Sequence, residues 1–269
     1  MVRRTTAAAC LLAACAMFAL LSASALATPG SLEFGKCAAT AGGKFKNSGC
    51  TKLAKTAEEQ KFEWTPLGAG VAVTSQKAAE TGLAVLETTS GSEISCSGQS
   101  SAAGEYGPAS KEMRNIVERF TGCAALGCEA QSKGAKEGEI IFNALRAVPG
   151  IITANAQGKE EKDVVGLDFK AQSGTTVAEF ECGSARWVVR GGVIATYPPN
   201  KMLNKVTLAF VQEKGKQQFE RFVGGATEFL ETNIVEKGFE QSGFSLVTIL
   251  KTNPKTTKVE LRHCEKNVC

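Results

Sequence analysis

The chain contains one histidine, His263, in 269 residues. A Ser/His/Asp or Cys/His site needs an imidazole as its base, so that chemistry would rest on a residue six positions from the last, beside Cys264. Chain ends hold side chains loosely, and in an exported chain cysteines serve better as braces, so His263 is not read as catalytic. Other signatures are missing too: there is no GxSxG elbow, no HExxH, no P-loop and no GxGxxG opening a helix. A nucleotide or a catalytic metal has no recognisable foothold, and no cofactor is expected. Aromatic residues are few at 7%, with two tryptophans and two tyrosines. After residue 27 no run reaches the roughly 18 apolar residues that span a bilayer, so no transmembrane segment is expected.

What is present begins with an export signal. Arg3 and Arg4 precede the apolar run AAACLLAACAMFALL, and SASALA precedes Thr28 and Pro29. Ala25 and Ala27 fit an A-x-A cleavage site, so residues 1–27 read as a signal peptide and 28–269 as a single, mainly β extracellular domain. A competing reading takes Cys15 as a lipid anchor after Leu12, Ala13 and Ala14. It would leave the apolar stretch 16–27 where a polar tether is expected. Cleavage removes two arginines and no acid, leaving 29 basic residues against 27 acidic ones. So weak a balance argues against nucleic acid as a partner. The nearest approach to a basic patch, Lys36, Lys44, Lys46, Lys52 and Lys55, runs straight into Glu58 and Glu59 and reads as a solvated loop face.

Of ten cysteines, Cys10 and Cys15 leave with the signal. The remaining eight, Cys37, Cys50, Cys96, Cys123, Cys128, Cys182, Cys264 and Cys269, form an even set in an exported chain, which is the mark of a disulfide framework. Eight cysteines allow about 105 pairings. Spacing favours the local links Cys37/Cys50, Cys123/Cys128 and Cys264/Cys269, which leaves Cys96 for Cys182. The alternative, a four-thiolate zinc site from CAALGC and CEKNVC, is disfavoured by the oxidising compartment and the distance along the chain between the two pairs.

Apolar residues alternate with polar ones along most of the chain, the period of a strand with one buried face. In TTVAEFEC, Ala178, Phe180 and Cys182 oppose Glu179 and Glu181; in DVVGLDFKA, Val165, Leu167, Phe169 and Ala171 oppose Asp168 and Lys170. Turn signals such as TPLGAG, TSGSE, QSGTT and YPPNK separate these runs. The expected class is all-β, an antiparallel β-sandwich or barrel-like domain braced by disulfides. Two segments could be helical: 52–60, and 110–120. The latter also reads as a strand, with Ile116, Glu118 and Phe120 alternating with Val117 and Arg119.

The segments EFGKC, GKFKNSGCTK, KFEWTP, RFTGC, VGLDFKAQSGTTVAEFECG, VRGGVIATYPPNKM and GFEQSGFSL, in that order, resemble a group of uncharacterised exported, cysteine-containing, β-rich proteins of soil actinobacteria. The likeness runs from Ser31 to Asn253. It implies secretion and a β-rich fold, and carries over no activity, substrate or catalytic residue.

Three functional readings follow. The first is a non-catalytic extracellular or cell-surface binding module for a cell-wall or extracellular polysaccharide. Trp64 and its neighbour Glu63 are its named contacts, with Tyr106 and Tyr197 as further aromatics, whereas Trp187 reads as core. The second is a structural envelope or matrix protein. The third is a glycoside hydrolase using paired carboxylates such as Glu179 and Glu181, set against the simpler view that alternating Glu marks the wet face of a strand.

Overall fold

Runs that place β-branched and aromatic residues at every second position suit a pleated, half-buried surface better than a helix, and the chain obeys that preference nearly throughout. The structure is a computed structural model describing residues 31–264 apart from Leu126, Glu160, Glu161, Glu236 and Lys237. The expected signal peptide and Cys269 lie outside the described residues. The strands are β1 (Ser31–Ala39), β2 (Phe62–Pro66), β3 (Ala72–Lys77), β4 (Ala84–Thr88), β5 (Glu93–Tyr106), β6 (Met113–Ala125), β7 (Cys128–Gln131), β8 (Glu139–Ile141) and β9 (Leu145–Thr153). They continue as β10 (Val164–Ala171), β11 (Thr176–Cys182), β12 (Ala185–Tyr197), β13 (Lys205–Phe210), β14 (Gln212–Glu213), β15 (Lys216–Gln217), β16 (Leu230–Ile234), β17 (Phe239–Asn253) and β18 (Glu260–Cys264). Of the two candidate helices, 52–60 supplies only a short 3-10 turn at Ala57–Glu59, and 110–120 falls largely within β6.

All-β is therefore the class, and the ladders close into a ring. Antiparallel pairing runs from β4 to β5, β6, β7, β11, β12, β16 and β17, then back to β4. The longest strands serve two sets of neighbours. β12 pairs with β11 and β16 as far as Gly191, then with β10 from Gly192 to Tyr197. The Gly-Gly pair makes that change of partner feasible. Gly191 has a φ of 99°, and a Cβ there would lie 2.1 Å from the carbonyl oxygen of Phe229. β17 likewise passes from β16 and β4 to β13 and β3. Beside the second half of β12 lies β13, and no ladder joins the two among the described residues.

The two ends of the barrel are finished differently. At one, the three-stranded sheet β18–β1–β2 packs across the opening. Phe34 of β1, fully buried, meets the rings of Tyr106 at the end of β5 and Tyr197 at the end of β12, with centroids 5.0 and 6.0 Å away. Disulfides bind the other. Cys96 bonds Cys123 across the β5–β6 ladder, and Cys128 bonds Cys182 between β7 and β11.

These bonds correct the expected Cys123/Cys128 and Cys96/Cys182 pairings. Register decides the matter: Cys96 stands opposite Cys123, whereas Cys128 stands opposite Ala125. Proximity along the sequence was the wrong guide because β6 and β7 carry the two cysteines to different neighbours. Cys37/Cys50 is bonded as expected, and Cys264 is also disulfide-bonded. Cys123 and Cys128 are thus unavailable as zinc thiolates.

A second correction concerns β10. Val165, Leu167, Phe169 and Ala171 are buried as read, yet Asp168 on the opposite face is only 3% exposed. The chain from 218 to 229 lies over that outer face. Val223 donates its amide hydrogen to the Ile151 carbonyl at 2.7 Å, Phe222 fills the space above Gly150, and Glu228 accepts from Lys170 at 3.0 Å. Lys170 in turn pairs with Asp168 at 2.9 Å, so the covered acid has a counter-charge.

Bridging 54 positions along the chain, Cys128/Cys182 removes more unfolded-chain entropy than Cys37/Cys50, which bridges 13. Replacing both cysteines of the former by serine should lower unfolding free energy by about 4 kcal/mol, against about 3 for the latter. Urea denaturation of the two double variants measures the order directly. A reversed order would mean that loop length does not govern these links.

Candidate functional site

Inside the barrel, a wall of apolar side chains faces a stripe of polar ones. Phe169 of β10, Val177 and Phe180 of β11, Val193 of β12 and Leu208 and Phe210 of β13 line one side of an internal cavity of about 70 Å³. Across from them, neighbouring strands β17, β3, β5 and β6 contribute Thr248, Ser75, Gln99, Ser101 and Glu118 to the same lining. One water needs roughly 10–15 Å³ of such space, so the cavity admits more than a single solvent molecule.

Strand parity sets the stripe. Glu118 lies between Ile116 and Phe120 at the spacing that turns all three inward, and its strand partner across the β5–β6 ladder is Ser101. The carboxyl is surrounded by protein, yet the side chain keeps accessible surface, and it is part of the cavity lining. Ser75 Oγ donates to the carboxyl at 2.8 Å, and Gln99 Nε2 donates to Ser75 Oγ at 2.6 Å and to Glu118 Oε2. Thr248 Oγ1 donates to Gln99 Oε1 at 2.9 Å, and Ser101 Oγ accepts the Ser75 amide hydrogen at 2.6 Å. Each contact orients the next, so Glu118 sits in a prearranged network. Burial pushes the Glu118 carboxyl above its ordinary value, with the hydrogen bonds from Gln99 and Ser75 pulling the other way. Cys96, also in the lining, is disulfide-bonded, so it offers the cavity no thiolate.

The residues singled out from the sequence lie elsewhere. Trp64 is 4% exposed, which corrects its reading as a surface contact. Its indole lies against Gly35, where a Cβ would come within 2.0 Å of the ring, and its Nε1 donates to Glu260 Oε2 at 2.9 Å. Its neighbour Glu63 accepts the Lys44 amide hydrogen at 2.8 Å and anchors the Cys37–Cys50 loop. Tyr106 and Tyr197 are buried against Phe34, and Trp187 is core, stacked on Phe180. Glu179 and Glu181 are exposed on the outer face of β11, with Glu179 held by Arg186 at 2.8 Å. The His263 side chain, on β18, is 5% exposed, lies 3.7 Å from Asp163, and is not part of the cavity lining. Glu118 had the sequence signal that the others lacked: an acid at an apolar position of an alternating run.

A carboxyl raised on folding holds a proton in the native state that the unfolded chain has released. Its contribution to stability is present below its ordinary 4.5 and is lost as pH rises through the raised folded value. Glu118→Gln keeps an acceptor for Gln99 and removes the ionisation, so the variant should gain stability relative to the wild type as pH rises from about 4.5 toward neutrality. Asp168 and Glu260, whose carboxyls are also raised by burial, are common to both proteins and cancel in the difference. Thermal melts across that range test this, and a difference independent of pH would contradict it. No protein-family model, no curated protein and no solved structure matches the chain, so the reading of the site rests on its own geometry.

Proposed function

We propose that this chain is an exported, non-catalytic binding protein that holds a small apolar molecule inside its barrel. The observation that carries this reading is the cavity itself: an apolar wall with a few convergent polar groups along one side, the usual make-up of a small-molecule site. The export signal read from the sequence, its resemblance to exported proteins and the disulfides support the compartment. Against hydrolysis stands the site's chemistry. Glu118 alone among the lining residues ionises, and a two-carboxylate or nucleophile–base mechanism requires a second group beside it. A polysaccharide stacked on Trp64 would require that ring to leave the core.

Titration with the neutral, polarity-sensitive dye N-phenylnaphthylamine tests the reading. Saturable fluorescence enhancement at about one dye per chain is expected. Val193→Trp, which places bulk in the cavity, should abolish it while tolerating the ~1–3 kcal/mol cost of overpacking. No enhancement with the wild type, or equal enhancement with the filled variant, would overturn it.

A further inference from the structure

We infer that the molecule held in the cavity carries a basic nitrogen, for which Glu118 is the counter-charge. This rests on the binding function proposed above and names the chemical class of the ligand.

The first support is an inventory of donors. The Ser75 hydroxyl proton goes to Glu118, the Thr248 hydroxyl proton goes to Gln99 Oε1, and the two amide hydrogens of Gln99 go to Ser75 Oγ and Glu118 Oε2. Those three residues have no hydrogen left to give. Once Glu118 is ionised, what they and it offer is lone pairs, since a carboxylate accepts at about four sites. In the stripe only Ser101, whose Oγ accepts the Ser75 amide hydrogen, keeps a hydroxyl hydrogen, so an entering head group meets mainly acceptors.

Charge narrows the class further. Glu118 is the ionisable residue of the lining, so the wall carries a negative charge or none. A carboxylate or phosphate would meet repulsion and find a single donor in the stripe, the Ser101 hydroxyl. An ammonium group would supply both the hydrogens and the opposite charge that offsets the cost of an ionised carboxyl in apolar surroundings.

The aromatic rings give a separate reason. Phe120, Phe142, Phe169, Phe180, Phe210 and Phe244 all line the cavity. Phenylalanine faces carry the negative lobe of the ring quadrupole and attract cations, more strongly where water is excluded. The same rings receive an apolar body, so an alkyl or aryl amine matches both parts of the lining. Neutral donors such as alcohols satisfy the hydrogen-bond inventory and leave the charge unused.

Displacement of bound N-phenylnaphthylamine by hexylamine, hexanol and hexanoate at neutral pH separates these classes at constant chain length. Hexylamine should compete at least about tenfold better than hexanol, as a charge-assisted hydrogen bond implies, and hexanoate should be the weakest of the three. In Glu118→Gln the amine's advantage should fall to within about threefold of the alcohol. The wild-type ranking decides the matter even if that variant does not fold. Should hexanol or hexanoate match or exceed the amine while the dye still binds, the ligand class is wrong and the binding function stands. If the dye does not bind at all, the binding function itself falls.

Discussion

Closure of the antiparallel ladder is the constraint on which the rest of this structure depends. An open sheet of this many strands would expose backbone donors and acceptors at two edges. Pairing β7 to β11 and β4 to β17 joins the halves into a ring. Once the ring is closed, strand parity, shifted where a ladder slips register as at Thr176/Ala178 of β11, determines what faces inward. The hydrophobic core, the cavity and the polar stripe are all products of that one topological fact. Because the strands are longer than a single ring requires, β12 and β17 change partners midway, and the barrel acquires length enough to enclose a cavity between its two finished ends.

Those ends divide the work. The sheet β18–β1–β2 closes one with aromatic packing, Phe34 against Tyr106 and Tyr197. Its own interior is polar and aromatic: Trp64 donates to Glu260, and Glu260 also accepts from Arg262 at 2.8 Å. The acid is therefore buried with two partners, which is the condition under which a buried charge is tolerated. The other end relies on covalent ties between neighbouring strands.

Much of this architecture was legible in the sequence, and what was not has identifiable causes. Alternation in TTVAEFEC placed Ala178, Phe180 and Cys182 inside and Glu179 and Glu181 outside, because one face of β11 meets solvent. The same rule failed for Asp168, since the segment covering β10 reaches it through Glu228, 58 residues beyond Lys170, and leaves no local trace. Cysteine count foretold bonding, but partner choice followed register, which depends on contacts distant in sequence. Trp64 was misplaced because an exposed and a buried tryptophan on a strand look alike until the neighbouring strand is known; Gly35, which makes room for the indole, belongs to β1. Glu118 carried its own signal through parity. Its importance became visible only with Ser75, Gln99 and Thr248 brought in from three other strands.

Among the described residues no ladder joins β12 to β13, and this gives the barrel a kinetic character. Where a ladder is long, as between β9 and β10 or β13 and β17, parting two strands means breaking a row of hydrogen bonds together. Between β12 and β13, resistance to parting comes from side-chain packing, from residues such as Val193, Leu208 and Phe210. Local opening events are cheapest where few backbone hydrogen bonds are lost. Breathing of the wall is thus favoured along this line, while long ladders such as β9–β10 and β13–β17 stay zipped.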